Sequence, residues 1–362
     1  MTRRERITIL TLSLLVVVVA GFVLFIFHGF TDVEKKNGGR YVTDRVGNKM
    51  LIPERPVRIA CLAGPSYEKI FMLGGADRVA LIPIEMPSWS YVLNPELKNI
   101  PISPYGHGGA DVERMLQLKV DLVIHWPWAV SRESLERAGL TGVCPYTDKR
   151  RPETMEAFIN NYLDEIRFYG EILGGDAPDR AGEYCRYYRE IVSLVRRRID
   201  SVPRGERPRV YYAMHSDLLS TQGKNSTTAW SVTMAGGEMV SRELTEYFAG
   251  VSVEQVIAWN PAFIFVGYQG DTDSPLFKSA WKSVKAVKEK NVYRIPRGAF
   301  FWDMASTEGG LFLLFMAKTM YPRQFSDVDM VEYTCNFYKR FYRYPLTDGQ
   351  ARRILKGQPP LL

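Results

Sequence analysis

Apolar positions along this chain follow two patterns, short unbroken runs and longer stretches in which they recur every three or four residues. The runs Val57–Leu62, Arg78–Ile84, Asp121–Trp126, Gly142–Tyr146, Val210–Met214 and Asn291–Pro296 read as strands. The helical period predicts helices over Tyr67–Leu73, Ser131–Ala138, Pro152–Leu173, Asp176–Val202, Leu276–Val284 and Gly309–Met320. Gly38–Glu54 reads as a hairpin turned at Gly47-Asn48, and Phe325–Gly357 as two closing helices, the last capped at Thr347-Asp348. The Pro-, Gly- and Tyr-rich segment Glu85–Gly109 reads as a long loop, as do His215–Ser226 and the aromatic Gly298–Ser306. Strands and helices that alternate with short joints predict parallel sheets covered on both faces.

One unit occurs twice. The stretch DVERMLQLKVDLVIHW, Asp111–Trp126, returns 141 residues later as VEQVIAWNPAFIFVG, Val253–Gly267. Val112 and Glu113 match Val253 and Glu254, and the apolar Met115, Leu116 and Leu118 match Val256, Ile257 and Trp259. Two copies of one helix-to-strand unit predict two similarly built lobes. Between the copies, Tyr184, Tyr188, Ile191, Val195 and Ile199 form one apolar stripe on the longest predicted helix, which is the natural connector. The expected fold is therefore α/β: two Rossmann-like lobes with mostly parallel sheets, joined by one long α-helix. The expected divisions are an N-terminal segment 1–36, a first lobe 37–175, the connector 176–203 and a second lobe 204–362. Glu113 and Glu254 each stand in the first turn of their helix, where a carboxylate faces the positive end of the dipole. That accounts for either residue alone and not for the pair.

Arg3, Arg4 and Arg6 precede Ile7–Phe27, a stretch without a charged residue. At 1.5 Å per residue it spans about 30 Å, so an N-terminal transmembrane helix is expected, with the rest of the chain outside the cytoplasm. A cleaved signal segment is the alternative, in which case the protein is periplasmic or secreted. The net charge is +7, but Lys and Arg are interleaved with acids along the chain, which argues against a nucleic-acid partner. Cys61, Cys144, Cys185 and Cys335 lack metal-ligand spacing, so buried free thiols are expected.

Familiar catalytic signatures are missing: no Walker A loop, no GxSxG elbow and no HExxH. His107, His125 and His215 are far apart in sequence, and no cofactor is implied. Aromatic residues instead gather at strand ends and in loops, among them Trp126, Trp128, Phe248, Tyr268, Phe301 and Trp302. In open α/β sheets these positions border the crevice where ligands bind. His107 and Phe248 both stand six residues before the paired glutamates, which places them opposite one another.

Tyr41–Pro56, Val57–Leu73 with its Pro65-Ser66-x-Glu68, Val112–Ile124, the AGGEMV run Ala235–Val240 and Tyr321-Pro322-x-x-Phe325 together resemble a known family. The family is that of the siderophore-, haem- and cobalamin-binding proteins of ABC importers, whose lobes are joined by one stiff helix. The resemblance implies a non-enzymatic receptor that binds a small metal chelate between its lobes. Its partners would be a membrane permease and, through it, a cytoplasmic ATPase. Glu113 and Glu254 match the two glutamates that dock on the permease. Implied ligand contacts are His107, Phe248, Trp126, Trp128 and the Phe301-Trp302-Asp303 group, with Tyr67, His215 and Tyr268 completing the candidate set. An iron–siderophore is the first expected ligand; cobalamin, haem, bare metal or an oxyanion such as molybdate are alternatives. Two rival readings are a metal-dependent hydrolase or lyase built on His107, His215 and a cleft acid, and a sensor domain signalling through its anchor.

Overall fold

The computed structural model describes residues 39–103, 111–127, 132–147, 151–267 and 269–361. A hairpin of β1 (Gly39–Thr43) and β2 (Lys49–Pro53) opens the described chain, turned through Gly47 at φ 91°. The first sheet holds β3 (Ile59–Cys61), β4 (Val79–Leu81), β5 (Leu122–Ile124) and β6 (Gly142–Val143), in the order β4-β3-β5-β6, with every pairing parallel. In the second sheet β7 (Arg209–Ala213), β9 (Glu238–Met239), β11 (Phe263–Val266) and β12 (Val292–Arg294) run parallel in the order β12-β11-β7-β9. Read from the β4 and β9 edges, the two orders are the same: second strand, first, third, fourth. Interleaved in sequence with the strands of the second sheet, β8 (Ser220–Gln222) and β10 (Phe248–Gly250) form a small antiparallel pair. The central β3 and β5 are buried at every position, as parallel strands covered on both faces require.

The helix Ala177–Ile199 lies between the two sheets in sequence. Pro178 sits in its first turn, where a missing N–H leaves no bond unmade, and the stripe Tyr184, Tyr188, Ile191, Val195 and Ile199 is buried throughout. This helix packs along Met155–Leu173 and Gly309–Met320. Gly170 permits the first approach: a methyl there would stand 2.8 Å from the Ala181 Cβ. One continuous apolar core joins the inner faces of both sheets, these helices and the closing helices Met330–Phe337 and Asp348–Leu355. Separate clusters cover the outer face of each sheet. Such burial is the main stabilising term, at about 25 cal/mol per Å² of apolar surface.

Several sequence expectations change. Glu85–Gly109 is not simply loop: Trp89, Leu93 and Leu97, at a spacing of four, are buried and wind the helix Ser88–Leu93 and the turn Pro95–Asn99. Leu276–Val284 is not a continuous helix. A turn Pro275–Phe277 and a short helix Lys285–Lys288 flank Trp281, which is buried with its Nε1 3.3 Å from the Val253 carbonyl. The His215–Ser226 loop contains β8, and Trp230 lies inside the helix Thr227–Met234 capped by Ser226. All four cysteines are free; Cys61, Cys144 and Cys185 are buried. Among the described residues no helix is long and apolar enough to cross a membrane. The segment Ile7–Phe27 lies outside the described residues.

Candidate functional site

The helix Met155–Leu173 carries Phe158, Asn161, Tyr162 and Glu165 at spacings of three and four, so the four share one face. That face forms one wall of a cavity of about 250 Å³. From the first lobe come Trp126, just beyond β5, and Tyr146 and Thr147, just beyond β6. From the second lobe come Gln222 on β8, Thr227, Tyr247, Phe248 on β10, and the loop Asp303–Ala305. Residues beyond the C-terminal ends of parallel strands therefore meet across the cavity, where the topology of open α/β sheets places ligands. The Trp126 ring lies against Tyr146, centroids 4.0 Å apart and planes 30° apart. On the far side Tyr247 meets Phe248 edge to face at 4.8 Å, and Phe248 is 56% exposed. Asp303 is buried and accepts a 2.7 Å hydrogen bond from the Tyr212 hydroxyl on β7. Gly267 must lack a side chain here, because a methyl would overlap the Asp303 carboxylate.

Behind the cavity lies a buried ionic network. Lys69 Nζ donates to the Ala305 carbonyl at 2.9 Å and stands 3.3 Å from Glu68 Oε1 and 3.4 Å from Glu165 Oε1. Glu68 accepts from the Thr307 amide at 3.0 Å, from the Thr307 hydroxyl and from Tyr342 at 3.1 Å. Glu308 accepts from the amides of Ala299 (3.0 Å) and Phe300 (2.9 Å), from Ser306 (3.0 Å) and from Tyr338. Burial pushes the Glu308 carboxyl up to about 7 against the pull of these donors. Tyr162 and Tyr184 donate to the carbonyls of Ser306 and Thr307 at 2.7 and 2.6 Å. The loop after β12, which supplies Asp303, Met304 and Ala305 to the cavity, is thus tied by its backbone to the first lobe and the long helices.

Of the residues singled out in the sequence, Trp126, Phe248 and Asp303 line the cavity. Four others lie elsewhere. Tyr67 is buried in the core and its hydroxyl accepts from Asn94 at 2.8 Å. Trp302 is buried, because the loop folds inward around Glu308; Phe301 packs on Phe300 with Arg297 over its ring. His215 is half-buried, its Nδ1 3.3 Å from the Gln269 side chain. His107, Trp128 and Tyr268 lie outside the described residues. Sequence reasoning missed Asn161, Tyr162 and Glu165. Their signal was a polar and charged set on the buried face of an amphipathic helix.

The paired glutamates are exposed. Asp111 and Ser252 cap their helices, accepting from the Arg114 amide at 2.9 Å and the Gln255 amide at 3.1 Å, so neither Glu is needed as a cap. Glu113 accepts from Gln117 Nε2 at 3.3 Å. Its own amide and the Ser252 side chain hold the Glu254 carboxyl below the usual range. Among the described residues no three His, Cys, Asp or Glu side chains converge to hold a metal ion.

The Periplasmic binding protein family matches residues 59–299, and the chain belongs to that family. Molybdate-binding protein MolA of Haemophilus influenzae is 25% identical over 337 residues, spanning 87% of this chain and 94% of MolA. A vitamin B12-binding protein of Vibrio parahaemolyticus is 24% identical over 251 residues, 68% of this chain and 84% of the relative. Among solved structures, a periplasmic solute binding protein from Veillonella parvula has a TM-score of 0.73 at 26% identity, covering 88% of this chain and 97% of that one. MolA bound to molybdate shares the fold, with a TM-score of 0.76 at 24% identity over 85% and 99% of the two chains. The chain is a solute-binding receptor of the ABC-importer class, acting outside the cytoplasm, and not an enzyme.

Proposed function

We propose that this receptor captures a compact metal chelate, an iron–siderophore first among them, in the cavity between its lobes and hands it to an ABC permease. The lining of the cavity carries this reading. Trp126, Tyr146, Phe158, Tyr162, Tyr247 and Phe248 supply rings from both sides, Glu165 and Asp303 supply carboxylates, and no described lining residue is Lys, Arg or His. Aromatic walls cover a bulky, apolar-faced ligand while losing little conformational entropy. On this reading 37–175 and 204–362 are the lobes, 176–203 is the stiff connector, and Ile7–Phe27 anchors the receptor to the membrane. Glu113 and Glu254, exposed and not needed as caps, dock on basic side chains of the permease, whose cytoplasmic ATPase supplies the energy.

A second reading has support in the likeness to MolA, a molybdate-binding protein. An oxyanion needs converging donors; Asn161, Gln222 and Thr227 line the cavity, but an oxyanion there would also face the carboxylates of Glu165 and Asp303. Titration followed by Trp fluorescence separates the two readings, since Trp126 lines the cavity. A ferric tris-hydroxamate should quench it with a Kd on the order of 1 μM or tighter, and molybdate should not. Tight molybdate binding without chelate binding would overturn the chelate reading.

A further inference from the structure

Among the described residues of the cavity wall, Glu165 is the charge whose partners are incomplete. Its side chain is 12% exposed, and Oε1 accepts no hydrogen bond. Lys69 forms a 3.4 Å ion pair with it, but the same ammonium is shared with the Ala305 carbonyl at 2.9 Å and with Glu68 at 3.3 Å. Arg45 acts on Glu165 from further off, with its Nη1 donating to the Asn161 carbonyl at 2.6 Å. Asp303, by contrast, has the Tyr212 hydroxyl. Burial raises the Glu165 carboxyl above its ordinary range, with Lys69 and then Arg45 opposing it. Lys69 and Arg45 balance Glu68 and Glu165 in charge, but Arg45 stands beyond ion-pair distance and Lys69 is shared with Glu68, so charge balance alone leaves Glu165 Oε1 poorly satisfied, which is costly. The position accounts for the acid: Glu165 ends the stripe that Phe158, Asn161 and Tyr162 present to the cavity.

We infer that Glu165 is the specificity-determining residue of the cleft, selecting solutes that offer a cationic or hydrogen-bond-donating group beside Tyr162 and rejecting oxyanions. This deepens the chelate reading above and rests on it. A ligand donor would complete the coordination of Oε1, so that part of the binding free energy comes from relieving an unsatisfied group in the empty receptor. An oxyanion in the same place would add like charge in a poorly hydrated site.

The test uses the full chain with three probes: a ferric tris-hydroxamate bearing a free ammonium, its N-acetylated neutral form, and molybdate. Wild type should bind the ammonium chelate about tenfold tighter than the neutral one, and Glu165→Gln should bind both alike. The same ratio in both proteins would overturn the inference while leaving the chelate reading intact. Molybdate binding without chelate binding would overturn both. The ligand-free proteins give a reading independent of any probe. Glu165→Gln should melt at or above the wild-type temperature, because it removes a poorly satisfied acid. A fall of more than about 5 °C would make Glu165 a structural partner of Lys69 and overturn the inference. If no probe binds wild type, the chelate reading falls and the inference falls with it.

Discussion

The two repeat units, Asp111–Ile124 and Ser252–Phe265, share a backbone and differ in how they stabilise it. Both helices start with a side-chain cap, put Glu second, and end in a left-handed residue, Lys119 at φ 52° and Asn260 at φ 45°. In the first lobe the Val120 amide then bonds back to the Met115 carbonyl at 3.0 Å. Pro261 occupies the equivalent place in the second lobe and has no amide hydrogen to donate. There the Asn260 amide bonds to both Val256 and Ile257, and the Asn260 side chain accepts from the Lys285 amide at 2.8 Å. The next position keeps one backbone bond in both lobes, Asp121 to the Arg58 carbonyl at 3.0 Å and Ala262 to the Arg209 carbonyl at 2.8 Å, and only Asp121 adds side-chain acceptors for the Val57 and Arg58 amides. Side-chain chemistry has diverged wherever the backbone could be held another way. The glutamates are not the caps that hold this backbone, and both are still present.

The comparison is broken most completely by Glu113→Ala with Glu254→Ala. We expect uptake into cells to fall to background while ligand Kd stays within about twofold, since both residues are exposed and uninvolved in capping. A collapse of affinity would assign these carboxylates to the ligand instead. Next in size is a contrast between glycines. A methyl at Gly298 would overlap Tyr338 and Glu308 in the buried network, and Gly298→Ala should cost about 3 kcal/mol or more by denaturant titration. In the first lobe, Gly142→Ala meets the movable end of Leu135 first and should cost about 1 kcal/mol.

Glu308 adds a pH test. In the folded chain its carboxyl keeps its proton up to about 7, whereas unfolded Glu releases it near 4.3. Its contribution is therefore whole below the unfolded value and drains away as pH rises to about 7, by on the order of 3 kcal/mol. The stability of wild type relative to Glu308→Gln should fall across that window; a flat difference would contradict it. The smallest effect sharpens the comparison of the repeats. Lys119→Gly should stabilise by about 0.5–1 kcal/mol, because lysine is strained at positive φ. Asn260→Gly should not stabilise, because it also removes the acceptor for Lys285.

Much of this architecture was legible because it is local. The strand runs, the duplicated unit, the buried Tyr184–Ile199 stripe, the Gly309–Met320 helix and the Thr347 cap all declare themselves within a few turns of chain. The π turn Tyr338–Tyr342 has no periodic signature; its Tyr338 and Tyr342 hydroxyls both donate to buried carboxylates, Glu308 and Glu68. The cavity was half legible. Trp126 and Phe248 follow from their places at strand ends, but Tyr67 and Trp302 are aromatic residues near loops that turned inward. Glu165 announces itself on the buried face of its helix, yet only the tertiary packing places that face against Trp126 and Phe248 across an open cavity.

The central claim is that a metal-bearing solute occupies the cavity between the lobes. Native mass spectrometry of the receptor purified from its own host, wild type beside Phe248→Arg, tests it most directly. The account predicts a metal-containing adduct on wild type that is absent from the variant. An adduct that persists undiminished in the variant would contradict it, because the solute would then be held somewhere other than this cavity.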